Sequence, residues 1–147
     1  MKIVIANDHA AVTMKKEVCE YLTGLGHDVI NIGIDREERC NYPDYAEEAA
    51  GYITSGKADL GVLICGTGAG MAIAANKVKG IRAVVCSEPV TARLAREHNH
   101  ANIITFGARV IGYEMATAIL DAYLNAEELG GRHEERVNLI TQIEERG

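Results

Sequence analysis

Aromatic residues are scarce in this chain of 147 residues: Phe, Tyr and Trp together make up 5%, and Trp is absent. Because 48% of the residues are nonetheless apolar, the core must be built from Val, Ile, Leu and Ala. That usage is typical of buried parallel strands covered by helices. The length suits one domain that buries about two-thirds of its unfolded surface. We therefore expect residues 1–147 to form a single domain.

An excess of positive charge and long apolar runs are also missing. Fifteen Lys and Arg stand against 21 Asp and Glu, which gives a formal net charge of −6 and argues against a nucleic-acid partner. No apolar run approaches the roughly 18 residues that span a bilayer. Asp8 also interrupts the first apolar run too early for a signal peptide. We expect no membrane partner and a cytoplasmic location.

The four cysteines form neither a CxxC pair nor a zinc-binding pattern. In the cytoplasm they are expected to be reduced thiols. Cys19 fits the buried stripe of a helix, and Cys86 ends a strand that no glycine turn follows, so both are interpreted as inert core residues. Cys40 lies in a charged loop and is assigned no role. Cys65 differs from these three because a glycine-rich turn follows it.

Short apolar runs alternate with helical patterns along the chain. Strands are predicted at 2–6, 28–32, 59–65, 81–86 and 102–106. Helices are predicted at 11–25, 42–55, 70–78, 89–97, 113–124 and 132–145. This alternation predicts an α/β fold, with a parallel sheet, right-handed crossovers and helices on both faces. Ligands of such sheets bind beyond the carboxyl ends of the strands, where Asn7-Asp8-His9 and the turn after Cys65 are expected to lie.

The turn from Cys65 to Gly70, Cys-Gly-Thr-Gly-Ala-Gly, is the most constrained motif. Its glycines let the backbone point N–H groups inward, and the next helix adds the positive end of its dipole, so the turn is predicted to hold an oxyanion. Three other phosphate-binding motifs do not fit. A dinucleotide-binding fingerprint needs Gly at position 71 and a Cys-based phosphatase needs Arg there, but this chain has Met71. The Walker A ending Gly-Lys-Ser/Thr is absent. The alternative is a helix-capping turn without a ligand.

Two groups at the same edge of the sheet are candidates for chemistry. Backbone N–H groups and the helix dipole favour a thiolate at Cys65, which makes it a candidate base or nucleophile. Asp8 could simply cap the following helix. His9, directly beside it, favours a polar contact within a site.

Cationic side chains near two helix ends complete the candidates. His98 and His100 follow the fourth predicted helix; a histidine there either complements the helix dipole or moves a proton, and the sequence alone does not separate the two residues. Arg132 and Arg136 are four residues apart, so they share a helical face that could hold a phosphate. Alternatively, both are solvated and bridged to nearby glutamates, at 135 or 128. Arg109, just after the fifth strand, is a third candidate.

Six motifs together identify a family. They are Asn-Asp-His at 7–9, Ile-Cys-Gly-Thr-Gly-Ala-Gly-Met at 64–71, Ile-Arg-Ala-Val-Val-Cys-Ser-Glu-Pro at 81–89, Glu-His-Asn at 97–99, Phe-Gly-Ala-Arg-Val at 106–110 and Gly-Gly-Arg-His-Glu-Glu-Arg-Val at 130–137. Across the whole chain they resemble the B-type ribose-5-phosphate isomerases. The resemblance implies a three-layer, flavodoxin-like and Rossmann-like fold with five strands and an extra C-terminal helix. It also implies a homodimer, or a dimer of dimers, with sites shared between subunits and neither a metal nor an organic cofactor.

The resemblance also implies roles for individual residues. Cys65 would move the proton between C1 and C2, His98 would open the furanose ring, and Thr67 would assist at the reacting end. The amides of the turn would stabilise the enediolate, and arginines would bind the phosphate. The expected substrate-binding residues are Asp8, His9, Gly66, Gly68, Ala69, Gly70, Asn99, Arg109, Arg132 and Arg136. Some relatives use a carboxylate base at 71–75, where this chain has no acid.

The chemistry of the motifs agrees with this resemblance. Isomerising an aldose removes a weakly acidic proton beside a carbonyl, so preorganised donors must meet the developing charge. A remote phosphate supplies binding energy that positions the reacting end. We therefore expect interconversion of ribose 5-phosphate and ribulose 5-phosphate. The alternatives are an isomerase of a six-carbon sugar phosphate, allose 6-phosphate or galactose 6-phosphate, and a phosphosugar-binding module without catalysis.

Overall fold

The computed structural model describes residues 1–147, and its strands form one parallel sheet. The order of the strands is β2-β1-β3-β5-β4, so the third strand is central and the second and fourth form the edges. The strands are β1 (Lys2–Asn7), β2 (Asp28–Asn31), β3 (Leu60–Cys65), β4 (Ala83–Val85) and β5 (Ile103–Gly107). The predicted five-stranded parallel sheet is confirmed.

Six helices and one short 3-10 turn, His9–Ala11, complete the three layers. The helices are α1 (Val12–Gly24), α2 (Tyr42–Thr54), α3 (Ala69–Ala75), α4 (Pro89–Asn99), α5 (Tyr113–Leu124) and α6 (Arg132–Arg146). Because each crossover is right-handed, the direction in which the chain moves along the sheet decides which face its helix covers. α2 and α3 share one face, and α1, α4 and α5 cover the other. α6 packs against α4. None of these helices combines the length and apolar content needed to cross a membrane.

The core on both faces of the sheet is aliphatic, as the composition predicts. Phe106 and Tyr123 are the only aromatic residues buried in it, and the Tyr123 hydroxyl donates to the carbonyl of Ala101 at 2.6 Å. Side chains alternate between the two faces along each strand. This alternation turns Cys65 toward α2 and α3, while its neighbour Ile64 faces the opposite core.

Two helix ends differ from the sequence-based expectation. The helix after the glycine turn ends at Ala75 instead of 78, because the Asn76 side chain pairs with the backbone of Ala83, accepting its N–H at 2.7 Å and donating to its carbonyl at 2.8 Å. In contrast, α4 continues to Asn99, two residues beyond the predicted end. It stops at His100, whose φ of 50° is left-handed.

Candidate active site

The carboxyl ends of β1 and β3 bring the first two predicted groups together. Asn7 pairs with Ile64 in register, and the N–H of Asp8 donates to the Ile64 carbonyl at 3.1 Å. Asp8 is therefore buried directly beside Cys65, with His9 following at the same edge. The Asp8 carboxylate accepts the N–H of Ala10 at 3.0 Å. Asp8 thus caps the short 3-10 turn and also lies at the predicted site.

Cys65 is the last residue of β3, and 5% of its surface is exposed. Its sulfur accepts the N–H of Gly68 at 3.1 Å. The N–H of Ala69 donates to the hydroxyl of Thr67 at 3.2 Å, and both of these residues are exposed. The turn therefore directs one N–H onto the thiol and another onto the Thr67 hydroxyl, and its binding of an oxyanion stays a prediction.

The glycine turn is pressed against the backbone of β5. Gly68 has a φ of 85°, and a Cβ at this position would lie 2.8 Å from the Cα of Phe106. On the β5 side, a Cβ at Gly107 would lie 2.5 Å from the Cα of Thr67. Any larger residue at either position would push the two segments apart. Glycine is therefore required at both positions for this close approach.

Arg109 and Tyr42 border the turn. The N–H of Arg109 donates to the Gly66 carbonyl at 3.0 Å, and its guanidinium passes close over that glycine, where a Cβ would lie 3.3 Å from Nη1. The ring of Tyr42, the first residue of α2, covers Gly70, where a Cβ would lie 2.7 Å from Cε1. The sequence identified Tyr42 only as a helix start. The one sequence signal at this position was an aromatic residue in an aromatic-poor chain.

The other three cysteines have surroundings unlike those of Cys65. Burial raises the pKa of Cys86 to about 12 and also raises the pKa of Cys19. Both stay protonated at neutral pH; Cys86 is buried in the core, as expected, whereas Cys19 is half-buried and packs against it. Cys40, which the sequence left without a role, lies 4.0 Å from Nδ1 of His9, and burial raises its pKa as well.

His98 and Asn99 lie at the opposite end of the sheet, near the amino ends of its strands. Both residues end α4, just before β5 begins at Ile103. The register pairs Gly61 with Ile103 and Cys65 with Gly107, so about four residues of strand, roughly 13 Å, separate the two ends of the sheet. Within one chain, His98 therefore does not reach Cys65.

His98 lies in a cluster with His133, Arg132 and Arg136, which are at the start of α6. The rings of His98 and His133 are stacked, with centroids 4.1 Å apart and planes within 3° of parallel. Partial desolvation, followed by the nearby charges of His98, Arg132 and Arg136, lowers the pKa of His133. The sequence motif contains His133, but nothing in its spacing indicated that it stacks on His98.

The structure distinguishes His98 from His100. His100 is buried, and its Nε2 lies 2.7 Å from the carbonyl oxygen of Leu129. Its Nδ1 also lies 3.6 Å from the carboxylate of Glu128. His100 is thus engaged in holding the connection to α6, whereas His98 is partly exposed.

Arg132 and Arg136, in the first turns of α6, form no ion pairs. Glu128, one proposed partner, instead binds Arg96 at 2.7 Å, and Glu135 pairs with neither arginine. Both guanidinium groups, and that of Arg109, are exposed and have no carboxylate within 4.0 Å. The bridged alternative is therefore not observed, and three unpaired cations remain to meet an anion.

The surface cavities do not enclose Cys65. The cavity of about 450 Å³ lies between β4 and α6 and is lined by residues that include Arg82, Asn99, Ile140 and Ile143. The others, of about 280 Å³ and 300 Å³, lie beside α2. The glycine turn thus lines none of these three cavities. No group of three or more His, Cys, Asp or Glu side chains is arranged to hold a metal ion.

Comparisons with known proteins cover nearly the whole chain. A family model described as Ribose/Galactose Isomerase matches residues 3–140. Ribose-5-phosphate isomerase B of Escherichia coli is 50% identical over 145 residues, covering 99% of this chain and 97% of that protein. Galactose-6-phosphate isomerase subunit LacB of Clostridium acetobutylicum is 43% identical over 127 residues, covering 86% and 73%. The solved structure of Clostridium thermocellum ribose-5-phosphate isomerase B matches with a TM-score of 0.98 at 46% identity and covers 99% of both chains.

Proposed function

The chain belongs to the ribose/galactose isomerase family and is an isomerase, and on that premise we propose that it interconverts ribose 5-phosphate and ribulose 5-phosphate through an enediolate. One observation carries the proposal: the sulfur of Cys65, the last residue of β3, accepts an N–H from the glycine turn that follows it. This arrangement places a base next to donors that can meet an oxyanion. Family membership also argues against a binding module without catalysis.

The proposed reaction moves one proton between neighbouring carbons. Cys65 takes the proton from C2 of the open-chain aldose and returns it to C1, while the hydroxyl proton on O2 leaves and O1 gains one. The amides from Gly66 to Gly70 and the Thr67 hydroxyl stabilise the charge on the enediolate oxygens. Asp8, His9 and Asn99 bind sugar hydroxyls. No step requires a metal ion or an organic cofactor.

The phosphate is proposed to bind the three unpaired arginines. Arg109 borders the glycine turn, while Arg132 and Arg136 lie near His98 at the opposite end of the sheet. A dianionic phosphate between these cations supplies binding energy remote from the reacting carbons. His98 then opens the furanose ring by accepting the O1 proton and donating one to the ring oxygen.

These assignments require two chains. Because His98 and Cys65 lie at opposite ends of one sheet, we propose a homodimer, alone or paired into a dimer of dimers. In each of its sites, one chain supplies Cys65 and the other supplies His98, Asn99, Arg132 and Arg136. An arrangement with two-fold symmetry makes two identical sites of this kind. The glycine turn, which lines none of the three surface cavities, and the unpaired arginines support this arrangement.

An apolar surface is available for the second chain. β4 is an edge strand with Val85 44% exposed, and Ile140 and Ile143 of α6 are 46% and 61% exposed. These isoleucines line the cavity that also contains Asn99. Apolar side chains this exposed at a sheet edge favour association. We propose that a second copy of the chain covers this surface.

The direct test is an isomerisation assay on the purified protein. Turnover of ribose 5-phosphate is expected, with a kcat/KM at least about tenfold above those for allose 6-phosphate and galactose 6-phosphate. A chelator is expected to leave the rate unchanged, since the proposed steps use side chains and amides alone. No turnover of ribose 5-phosphate, or inhibition by the chelator, would overturn the proposal.

A six-carbon substrate is the second candidate. It is favoured by the 43% identity with galactose-6-phosphate isomerase subunit LacB. The reacting end would be the same in both cases, and the phosphate would lie one carbon farther from Cys65. A higher kcat/KM for allose 6-phosphate or galactose 6-phosphate in the same assay would establish this candidate instead.

A further inference from the structure

A buried hydroxyl lies beneath the glycine turn, in the middle of an apolar strand. β5 reads Ile-Ile-Thr-Phe-Gly, and all five of its residues are buried. The hydroxyl of Thr105, which is fully buried, donates to the carbonyl of Gly68 at 2.7 Å. Because a buried hydroxyl must find a partner, this bond fixes Thr105 and Gly68 to each other.

Gly68 is held from both sides. Its N–H donates to the sulfur of Cys65 at 3.1 Å, and its carbonyl accepts from Thr105 and, at 3.2 Å, from the N–H of Ala72. Gly68 has no side chain and a φ of 85°, so its own sterics leave several backbone orientations open. These hydrogen bonds, together with the contact against Phe106, therefore select the orientation.

The direction of the next N–H depends on the same bond. The carbonyl of Gly68 and the N–H of Ala69 belong to one planar peptide group and point in opposite directions. Holding the oxygen against Thr105 consequently sets where the Ala69 N–H points. That N–H faces the exposed side of the turn, where it meets the Thr67 hydroxyl.

We propose that Thr105 is a positioning residue for the isomerase site. It touches no substrate. Its hydroxyl orients the peptide group between Gly68 and Ala69, so that the turn presents its amides to the enediolate and keeps an N–H on Cys65. The proposal rests on the proposed function, in which this turn is the oxyanion site. Misplacing a preorganised donor costs about ten- to several-hundredfold in turnover, whereas substrate held mainly by its phosphate binds as before.

Three substitutions of Thr105 separate the effect of its hydroxyl from the effect of its side-chain packing. Thr105→Val keeps the shape and removes the hydroxyl, Thr105→Ser keeps the hydroxyl and removes the methyl group, and Thr105→Ala removes both. We expect kcat to fall about ten- to a hundredfold in the Val and Ala variants, with KM changed less than about twofold, and the Ser variant to keep kcat within about twofold of the parent. The Ser and Ala pair decides the matter even if the Val variant fails to fold.

A purely structural role predicts a different pattern. In that case activity would follow the thermal unfolding midpoint, and Ser would lose as much kcat as Ala. That result, or full kcat in the Val or Ala variant, would overturn the proposal.

Amide hydrogen exchange gives a readout that does not depend on the reaction. The Gly68 and Ala69 amides are expected to exchange at least about tenfold faster in the variants without the hydroxyl, while the other β5 amides keep their protection. Unchanged exchange at Gly68 and Ala69 would overturn the positioning role. A parent protein that isomerises no sugar phosphate but has this exchange pattern would refute the proposed function and leave the role of Thr105 in shaping the turn intact.

Discussion

At the scale of single residues, four thiols have four different surroundings, and those surroundings decide which one can act as a base. Cys86 and Cys19 lie among apolar groups, and desolvation raises the pKa of each. The sulfur of Cys40 lies 4.0 Å from Nδ1 of His9, and burial raises the pKa of this thiol. Only Cys65 receives an N–H from a glycine turn at the carboxyl end of a strand. Of the four thiols, Cys65 therefore fits the proposed proton transfer best.

Replacing Cys65 with Ala is expected to reduce kcat by about a thousandfold or more, because general-base catalysis contributes about 10²–10⁴-fold and no other base lies on the turn. Substrate affinity, measured by calorimetry, is expected to change little, since the phosphate supplies most of the binding. Cys86→Ala is the matched control, with lower stability and parental turnover. Retained turnover in the Cys65 variant would remove Cys65 from the mechanism.

Much of the residue-level site follows from the sequence, and the remainder depends on packing between distant segments. Glycine spacing identifies the turn, and its position after a strand identifies Cys65. The contacts of Tyr42 with Gly70, His133 with His98, and Thr105 with Gly68 join different elements. No local periodicity encodes such contacts, because each depends on how two elements pack in space.

At the scale of elements, the connection from β2 to α2 is anchored by a buried ammonium group. Lys15 of α1 is fully buried, and its Nζ donates to the carbonyl of Ile34 at 3.0 Å, to the side chain of Asn31 at 3.2 Å and to Asp35. A buried charge is tolerated only when it is paired in this way. The anchored loop leads to Cys40 and Tyr42, so this network supports one wall of the site.

This ion pair makes stability depend on pH. The hydrogen bond from Lys15, followed by that from Asn31, lowers the pKa of Asp35 in the folded chain. A lowered folded-state pKa contributes stability above the unfolded value of about 4, and that contribution is lost as pH falls through the folded pKa. Asp35→Asn is therefore expected to reduce the free energy of unfolding clearly at pH 7 and much less at pH 3.

Urea unfolding at the two pH values checks this expectation. Glu37→Gln, a change in the same loop at a residue without an ion pair, is the control and should have the same small effect at both. An equal cost of Asp35→Asn at pH 7 and pH 3 would mean that the Lys15 pair does not set the acid dependence.

Helix and strand positions follow closely from the sequence, and the exceptions have tertiary causes. The fifth helix has the predicted bounds, Tyr113–Leu124. α3 is cut short by the pairing of Asn76 with Ala83, and α4 is extended to a left-handed residue, His100, whose side chain meets the Leu129 carbonyl. Both ends are set by partners far along the chain, which a local pattern does not contain.

At the scale of the whole molecule, the proposed catalytic residues of one chain lie at two opposite ends of the sheet. Cys65 and the glycine turn lie at the carboxyl ends of the strands. His98, with Arg132 and Arg136, lies at the opposite end of the sheet. In an α/β sheet, helices run antiparallel to the strands that they connect. A residue at the C-terminus of a helix therefore lies near the amino ends of the strands, away from their carboxyl ends. Our proposal that both groups act in one reaction therefore requires a site shared between two chains.

The most direct measurement is the activity of a mixed dimer made from two defective chains, Cys65→Ala and His98→Asn. Each variant alone is expected to be nearly inactive on ribose 5-phosphate. With a different affinity tag on each chain, tandem purification isolates the mixed dimer, in which both substitutions fall in one site and the other site is intact.

The account predicts that this mixed dimer recovers about half of the parental turnover, because one of its two sites is complete. If Cys65 and His98 acted within a single chain, each site would carry one defect. A mixed dimer no more active than its two parent variants would contradict the shared site.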